Sequence, residues 1–202
     1  MENVINNIID KEDLQFSLAF CSFYIAIYEH MTDYVCSSVE ALLCDISIKD
    51  GKFFYNETES YKIKIKNRKV DKNGNTDKTK ASFLWLLDCG GIDNNEYERF
   101  LECKKRRNKY AHKLSSIIFE GFEDSAIDDF LFLYKLYKKI TNWWFINVDA
   151  SIIGYEFPAE TVMEEIQSVP SYLFAIMIDV LYLNGSETYK KIIESIKEEE
   201  QI

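Results

Sequence analysis

With 202 residues, 47% of them hydrophobic and 15% aromatic, the chain can bury a sizeable core and is no disordered segment. A net charge of -10 excludes sequence-blind coating of nucleic acid by a generally basic surface, but leaves room for a local basic site. Seven glycines and two prolines give little punctuation, which favours long helices over a strand-rich sandwich.

From Lys11 to Cys44 the periodicity predicts one long helix, with Leu14, Leu18, Cys21, Ile25, Tyr28, Met31 and Val35 forming the core-facing stripe. Phe16, Phe20, Phe23, Tyr24 and Ile27 broaden that stripe, as in a central helix or one shared with a second copy. His30 reads as a surface or hydrogen-bonded structural histidine. A short hairpin follows, Ile46-Ser-Ile and Phe53-Phe-Tyr around a turn at Asp50-Gly51. The strict alternation of Tyr61-Lys-Ile-Lys-Ile-Lys66 predicts a strand. Lys72-Asn-Gly-Asn75 reads as a turn. From Tyr61 to Lys80 eight basic residues stand against Asp71 and Asp77, so this segment is either a solvated arm or a phosphate-contacting one.

A short helix is expected from Ser82, as its N-cap, to a stop at Cys89-Gly-Gly91. Asp93 or Asn94 can cap the next helix, Glu96 to Leu114. Asp124 to Val148 carries apolar residues at helical spacing and ends in Trp143, Trp144 and Phe145, an aromatic cluster that reads as core or subunit interface. Ile152 to Pro158 is a connection. Glu160 to Ser168 and Ser171 to Leu183 are predicted helices, with Pro170 acceptable at a helix start, and Glu187 to Glu199 is an amphipathic terminal helix. The expected architecture is an all-α bundle with a small β-hairpin insertion: one helical domain over 1–202, interrupted by a β/loop segment at 46–80.

The five cysteines have no Cys-x-x-Cys spacing, so neither a disulfide framework nor a zinc site is expected. The first residues lack a cationic stretch followed by an apolar one, and no apolar run reaches the about 20 residues of a spanning helix. A cytoplasmic protein without a membrane partner is the expectation.

The chemistry concentrates in the helix Glu96 to Leu114. Lys104, Lys105, Arg106, Arg107, Lys109 and Lys113 crowd its C-terminal half with no acid between Lys104 and Lys113, and one of the two histidines, His112, lies among them. There is no phosphate-cradling glycine loop, no His-Glu-x-x-His and no Gly-x-Ser-x-Gly. Imidazole titrates near pH 6.5, so His112 suits proton transfer. The guanidinium of Arg107 presents a planar fork for phosphoryl oxygens, and Asn108 lies one turn before His112 on the same face.

Arg107, Asn108 and His112 form an Arg-Asn-x3-His sequence that resembles the Arg-x4-6-His motif of HEPN-superfamily ribonucleases. The resemblance implies a HEPN-like bundle of about four to five helices with the motif on a late helix. It further implies metal-independent endoribonuclease activity without a cofactor, in which 2′-hydroxyl attack leaves a 2′,3′-cyclic phosphate and a 5′-hydroxyl. Arg107, Asn108 and His112 are then the catalytic residues, and Lys104, Lys105, Arg106, Lys109, Lys113, Lys62, Lys64 and Lys66 the RNA contacts. Five residues at 100° place Arg107 and His112 about 140° apart around one helix, a difficulty relieved by a two-fold homodimer whose two motifs line one cleft, as the resemblance also implies. Size and insertion resemble the toxin and antiviral-defence branches, where an antitoxin or defence protein is a further partner. In one branch a Tyr two positions after the His is modified; Leu114 stands there here. The alternative is a non-catalytic HEPN-like scaffold that binds RNA or a partner protein.

Overall fold

A computed structural model describes residues 11–123, 125–158 and 168–184. Among these the chain is helical apart from one two-stranded antiparallel hairpin, the all-α fold with a small insertion that the composition implies. The elements are α1 (Lys11–Leu43), β1 (Cys44–Lys49), β2 (Lys52–Glu57), α2 (Glu59–Tyr61, continued as a π-helical turn over Lys62–Lys66) and α3 (Lys78–Asp88). They continue with α4 (Asn94–His112), α5 (Leu114–Glu120), α6 (Ala126–Trp144, continued as a π-helical turn over Phe145–Asp149), α7 (Ala150–Ile153) and α8 (Val169–Asn184). The predicted helices at 160–168 and 187–199 lie outside the described residues, apart from Ser168. No helix among the described residues is long and apolar enough to cross a membrane.

The chain forms two compact units, one of Met1–Tyr28 with Leu101–Ile202 and one of Glu29–Phe100. The first unit is built on an aromatic cluster. Phe20, 2% exposed, has ring centroids of Phe122 at 4.8 Å, Phe130 at 5.5 Å, Phe16 at 5.9 Å and Tyr110 at 6.2 Å. Phe122 and Tyr110 meet Phe20 edge-on, Phe130 is tilted and Phe16 is stacked, arrangements that bury large apolar area. They also choose the face of α1. The buried residues are Phe16, Phe20, Cys21, Tyr24, Ile27 and Tyr28, whereas Leu18 is 39% exposed and Leu14 and Ile25 are half-buried. Of the predicted stripe Cys21, Tyr28, Met31 and Val35 are buried. The places of Leu14, Leu18 and Ile25 are taken by Phe16, Phe20, Tyr24 and Ile27, of which Phe20 and Tyr24 face rings on α4 and α6. Tyr137 of α6 meets Phe174 of α8 edge-on at 5.5 Å, and Pro170 is the second residue of α8, where its missing N–H costs nothing.

In the second unit Met31, Val35 and Val39 of α1 are fully buried, and Phe83 stacks on Phe100 at 3.8 Å. The hairpin has the predicted turn: Asp50 and Gly51 both have positive φ (53° and 72°), the backbone of a two-residue turn that matches strand twist. Two local expectations are corrected. Tyr61 to Lys66 is helical, started by the Thr58 hydroxyl, which accepts from the Tyr61 N–H at 3.1 Å. Its alternation is one of composition and not of burial, since Tyr61 and Ile65, four apart, are buried and Ile63 between them is 69% exposed. Ser82 is no cap, but a buried residue inside α3.

The cap of α3 is Asp77, whose carboxylate accepts from the Lys80 N–H at 3.0 Å. Asp77→Ala is expected to lower stability by about 1 kcal/mol, the usual worth of an anionic N-cap, read as a shift in urea midpoint at unchanged slope.

Candidate functional site

The helix that carries the motif starts with a capping box. The Glu96 N–H donates to Asp93 Oδ1 at 2.9 Å, and the Asp93 N–H donates to Glu96 Oε2 at 2.8 Å. It stays α-helical to His112, and the turn is broken at Lys113 (φ -131°, ψ 34°) before α5 begins. Leu114, expected in the same helix, therefore opens the next one.

Cys103 is fully buried and Tyr110 nearly so. Steps of three and four residues join them through Arg106, which places Arg106 on the inward face of α4. Its side chain is only 10% exposed, and its Nη2 lies 3.0 Å from Asp129 Oδ2, 3.3 Å from Glu123 Oε2 and 2.7 Å from Ser125 Oγ, to which it donates. Burial disfavours the charge, but Asp129 and the nearby tyrosines Tyr110 and Tyr24 hold the guanidinium above its ordinary pKa. Arg106 is thus a structural anchor of the first unit: the guanidinium expected to contact RNA is held by Asp129, Glu123 and Ser125. The signal was legible as helical spacing and was masked by the run of cations around it.

Around that anchor the tyrosines are apolar neighbours more than acids. Tyr24 and Tyr110 lie edge-on at 5.0 Å, and burial pushes both hydroxyls upward, opposed in part by Arg106. Burial also pushes the Cys21 thiol up to about 12, so it is held as a thiol and not as a nucleophile.

The three motif residues sit differently. Arg107 is half-buried and its Nη1 donates to Asn108 Oδ1 at 2.8 Å, which joins two of the three. His112 is exposed at the last position of the helix, and among the described residues no hydrogen bond ties it to Arg107 or Asn108. On a regular helix His112 lies about 7.5 Å further along the axis than Arg107. Arg107 and Asn108 therefore form a local pair, and the imidazole stands apart from it.

Several of the expected basic contacts are engaged with acids. Lys109 Nζ reaches Glu123 at 2.6 Å and Lys105 reaches Glu102 at 2.7 Å. Lys104 is half-buried, and Lys113 is exposed. In the second unit Lys62 pairs with Glu59 at 2.8 Å and Lys66 with Glu57 at 2.6 Å, while Lys64 is exposed. Exposed pairs of this kind are weak and exchange readily for phosphate. The hydrogen bond from Lys109 holds the Glu123 carboxyl below the usual carboxylate range; burial works against it and Arg106 adds to it. Because the folded value is the lower one, this contact stabilises above the ordinary carboxylate range and is lost as pH falls through the depressed value. In Lys109→Ala, carbon-detected NMR titration of the Glu123 carboxyl is expected to show a clear upward move towards the ordinary range.

Among the described residues no group of three or more His, Cys, Asp or Glu is placed to hold a metal ion. No protein-family model, curated protein or solved structure matches this chain.

Proposed function

We propose that this chain is a metal-independent endoribonuclease of HEPN type, acting as a homodimer in toxin or antiviral-defence biology. The observation that carries this reading is the position of its motif. His112 is solvent-exposed at the end of α4, with the Arg107–Asn108 pair one turn before it, in a cation-rich segment of an otherwise acidic chain. An exposed imidazole can reach a substrate hydroxyl, and a guanidinium whose fork is already oriented by Asn108 suits phosphoryl oxygens. In the reaction the 2′-oxygen bonds to phosphorus and its proton goes to His112 as base. The bond from phosphorus to the 5′-oxygen breaks, and a protonated imidazole, that of a second copy, supplies the proton to the leaving oxygen. Arg107 neutralises charge that builds on the pentacoordinate phosphoryl group.

The test is incubation of the purified protein with RNA in excess EDTA. Cleavage with 2′,3′-cyclic phosphate and 5′-hydroxyl ends is the expected result; intact RNA across a range of substrates and protein concentrations removes the nuclease reading.

One observation favours a second reading, an RNA-binding scaffold without turnover: among the described residues no hydrogen bond joins His112 to Arg107 or Asn108. That scaffold retains RNA in gel shifts with a steep negative salt dependence and leaves it uncut.

A further inference from the structure

The hairpin β1–β2 is exposed on both sides and at both edges. Its register pairs Ile46 with Tyr55 and Ile48 with Phe53, so these four side chains share one side of the ribbon. They are 52%, 47%, 68% and 67% exposed respectively. An isolated two-stranded ribbon is marginal in water, and an edge strand with free backbone groups and apolar side chains is a template for another strand. Among the described residues the outer edge of β1 makes no backbone hydrogen bond.

The chemistry of β1 selects what pairs with that edge. Antiparallel pairing of β1 with a second β1, centred on Ser47, sets Asp45 across from the second copy's Lys49. It sets Ile46 across from the second copy's Ile48 and Ser47 across from itself, and the two-fold axis repeats each pair. Asp45 and Lys49 are exposed, and neither makes an ion pair among the described residues. This register also keeps the four apolar residues of both copies on one side of a four-stranded sheet. The other edge offers no such match. Setting Lys52 of β2 across from a second Glu57 pairs Phe53 with Asn56 and puts the apolar side of one ribbon level with the polar side of the other. Moreover, Glu57 is already held by Lys66 at 2.6 Å.

We propose that β1 is a self-complementary interface: two copies of this chain associate through an antiparallel β1–β1 pairing centred on Ser47, with Asp45–Lys49 ion pairs at its ends. The interface is small and belongs to the weak, concentration-dependent class. It does not rest on the nuclease reading.

The experiment is site-directed cross-linking of the full chain in a Cys89→Ser background, since Cys89 is the exposed native thiol. Residues directly opposed across an antiparallel pair have Cα atoms about 4.5–5.5 Å apart, within disulfide reach. Ser47→Cys is expected to give a disulfide-linked dimer under mild oxidation with diamide, and Asn56→Cys on the outer strand is not. Asp45→Lys or Lys49→Asp alone places like charges opposite each other twice and weakens association about tenfold by sedimentation equilibrium, with cross-linking reduced in step. The double reversal Asp45→Lys with Lys49→Asp restores both to within about threefold. No cross-link through Ser47→Cys, or a dimer indifferent to the charge reversals, overturns the proposal; the latter is also what a dimer formed solely through α4 gives.

Discussion

His112→Ala is expected to lower RNA cleavage in excess EDTA by at least about a hundredfold, the usual scale for a lost acid–base group, with the unfolding midpoint unchanged. The second half of that expectation comes from exposure: His112 is the last residue of α4 and packs into no core, so its truncation removes chemistry and not stability. Arg107→Ala is expected to fall by a similar factor, and Arg107→Lys to recover only part, because an ammonium cannot reproduce the planar fork that Asn108 orients at 2.8 Å. A limb in the pH–rate profile of the wild type that is absent in His112→Ala assigns the proton transfer. Cleavage retained in full by both alanine variants would falsify the site.

Arg106→Ala, one position earlier, is expected to do the opposite: a loss of about 3–5 kcal/mol of stability, the cost of leaving a buried charge without its partner. Asp129 is 14% exposed and Arg106 10%, at 3.0 Å, with Glu123 at 3.3 Å, so removing the guanidinium strands a carboxylate that water reaches poorly. In urea this corresponds to a midpoint shift of about 1–2 M. The double variant Arg106→Ala with Asp129→Ala is expected to be far less unstable than the two single losses added together, because neither charge is then stranded. Had Arg106 been an RNA contact instead, its alanine variant would fold as well as the wild type and show a shallower salt dependence of RNA binding. Two adjacent arginines thus separate by measurement, one through stability and one through turnover.

How much of this was legible beforehand follows from the range of the forces involved. The hairpin turn at Asp50-Gly51, a cap at Asp93 or Asn94, and the stop at Cys89-Gly90-Gly91, where the Gly91 N–H returns to the Leu86 carbonyl at 2.9 Å, were all readable; the structure chose Asp93 and added Glu96 as its reciprocal partner. Each depends on hydrogen bonds and backbone angles within a few residues. Spacing also carried the existence of the long helices and the all-α class. The placement of Arg107, Asn108 and His112 on one helix was readable for the same reason.

What local pattern could not decide was which side of an element meets another. Residues 61–66 alternate like a strand, but lysine and isoleucine satisfy a helix as well once Tyr61 and Ile65 find a core. On α1 the leucine stripe and the aromatic stripe lie side by side, and only the rings of Tyr110, Phe122 and Phe130 select the second. In the cationic run of α4, five neighbouring positive charges look alike until an acid on α6 draws one of them inward. The sequence alone determined the hairpin turn, the glycine stop and the helical class, since these are short-range and nearly independent of neighbours, whereas the cap of α3 fell to Asp77 and not to Ser82. Tertiary structure decided the buried face of α1, the helical state of 61–66 and the division of Arg106 from Arg107, because burial is settled by contacts distant in the chain.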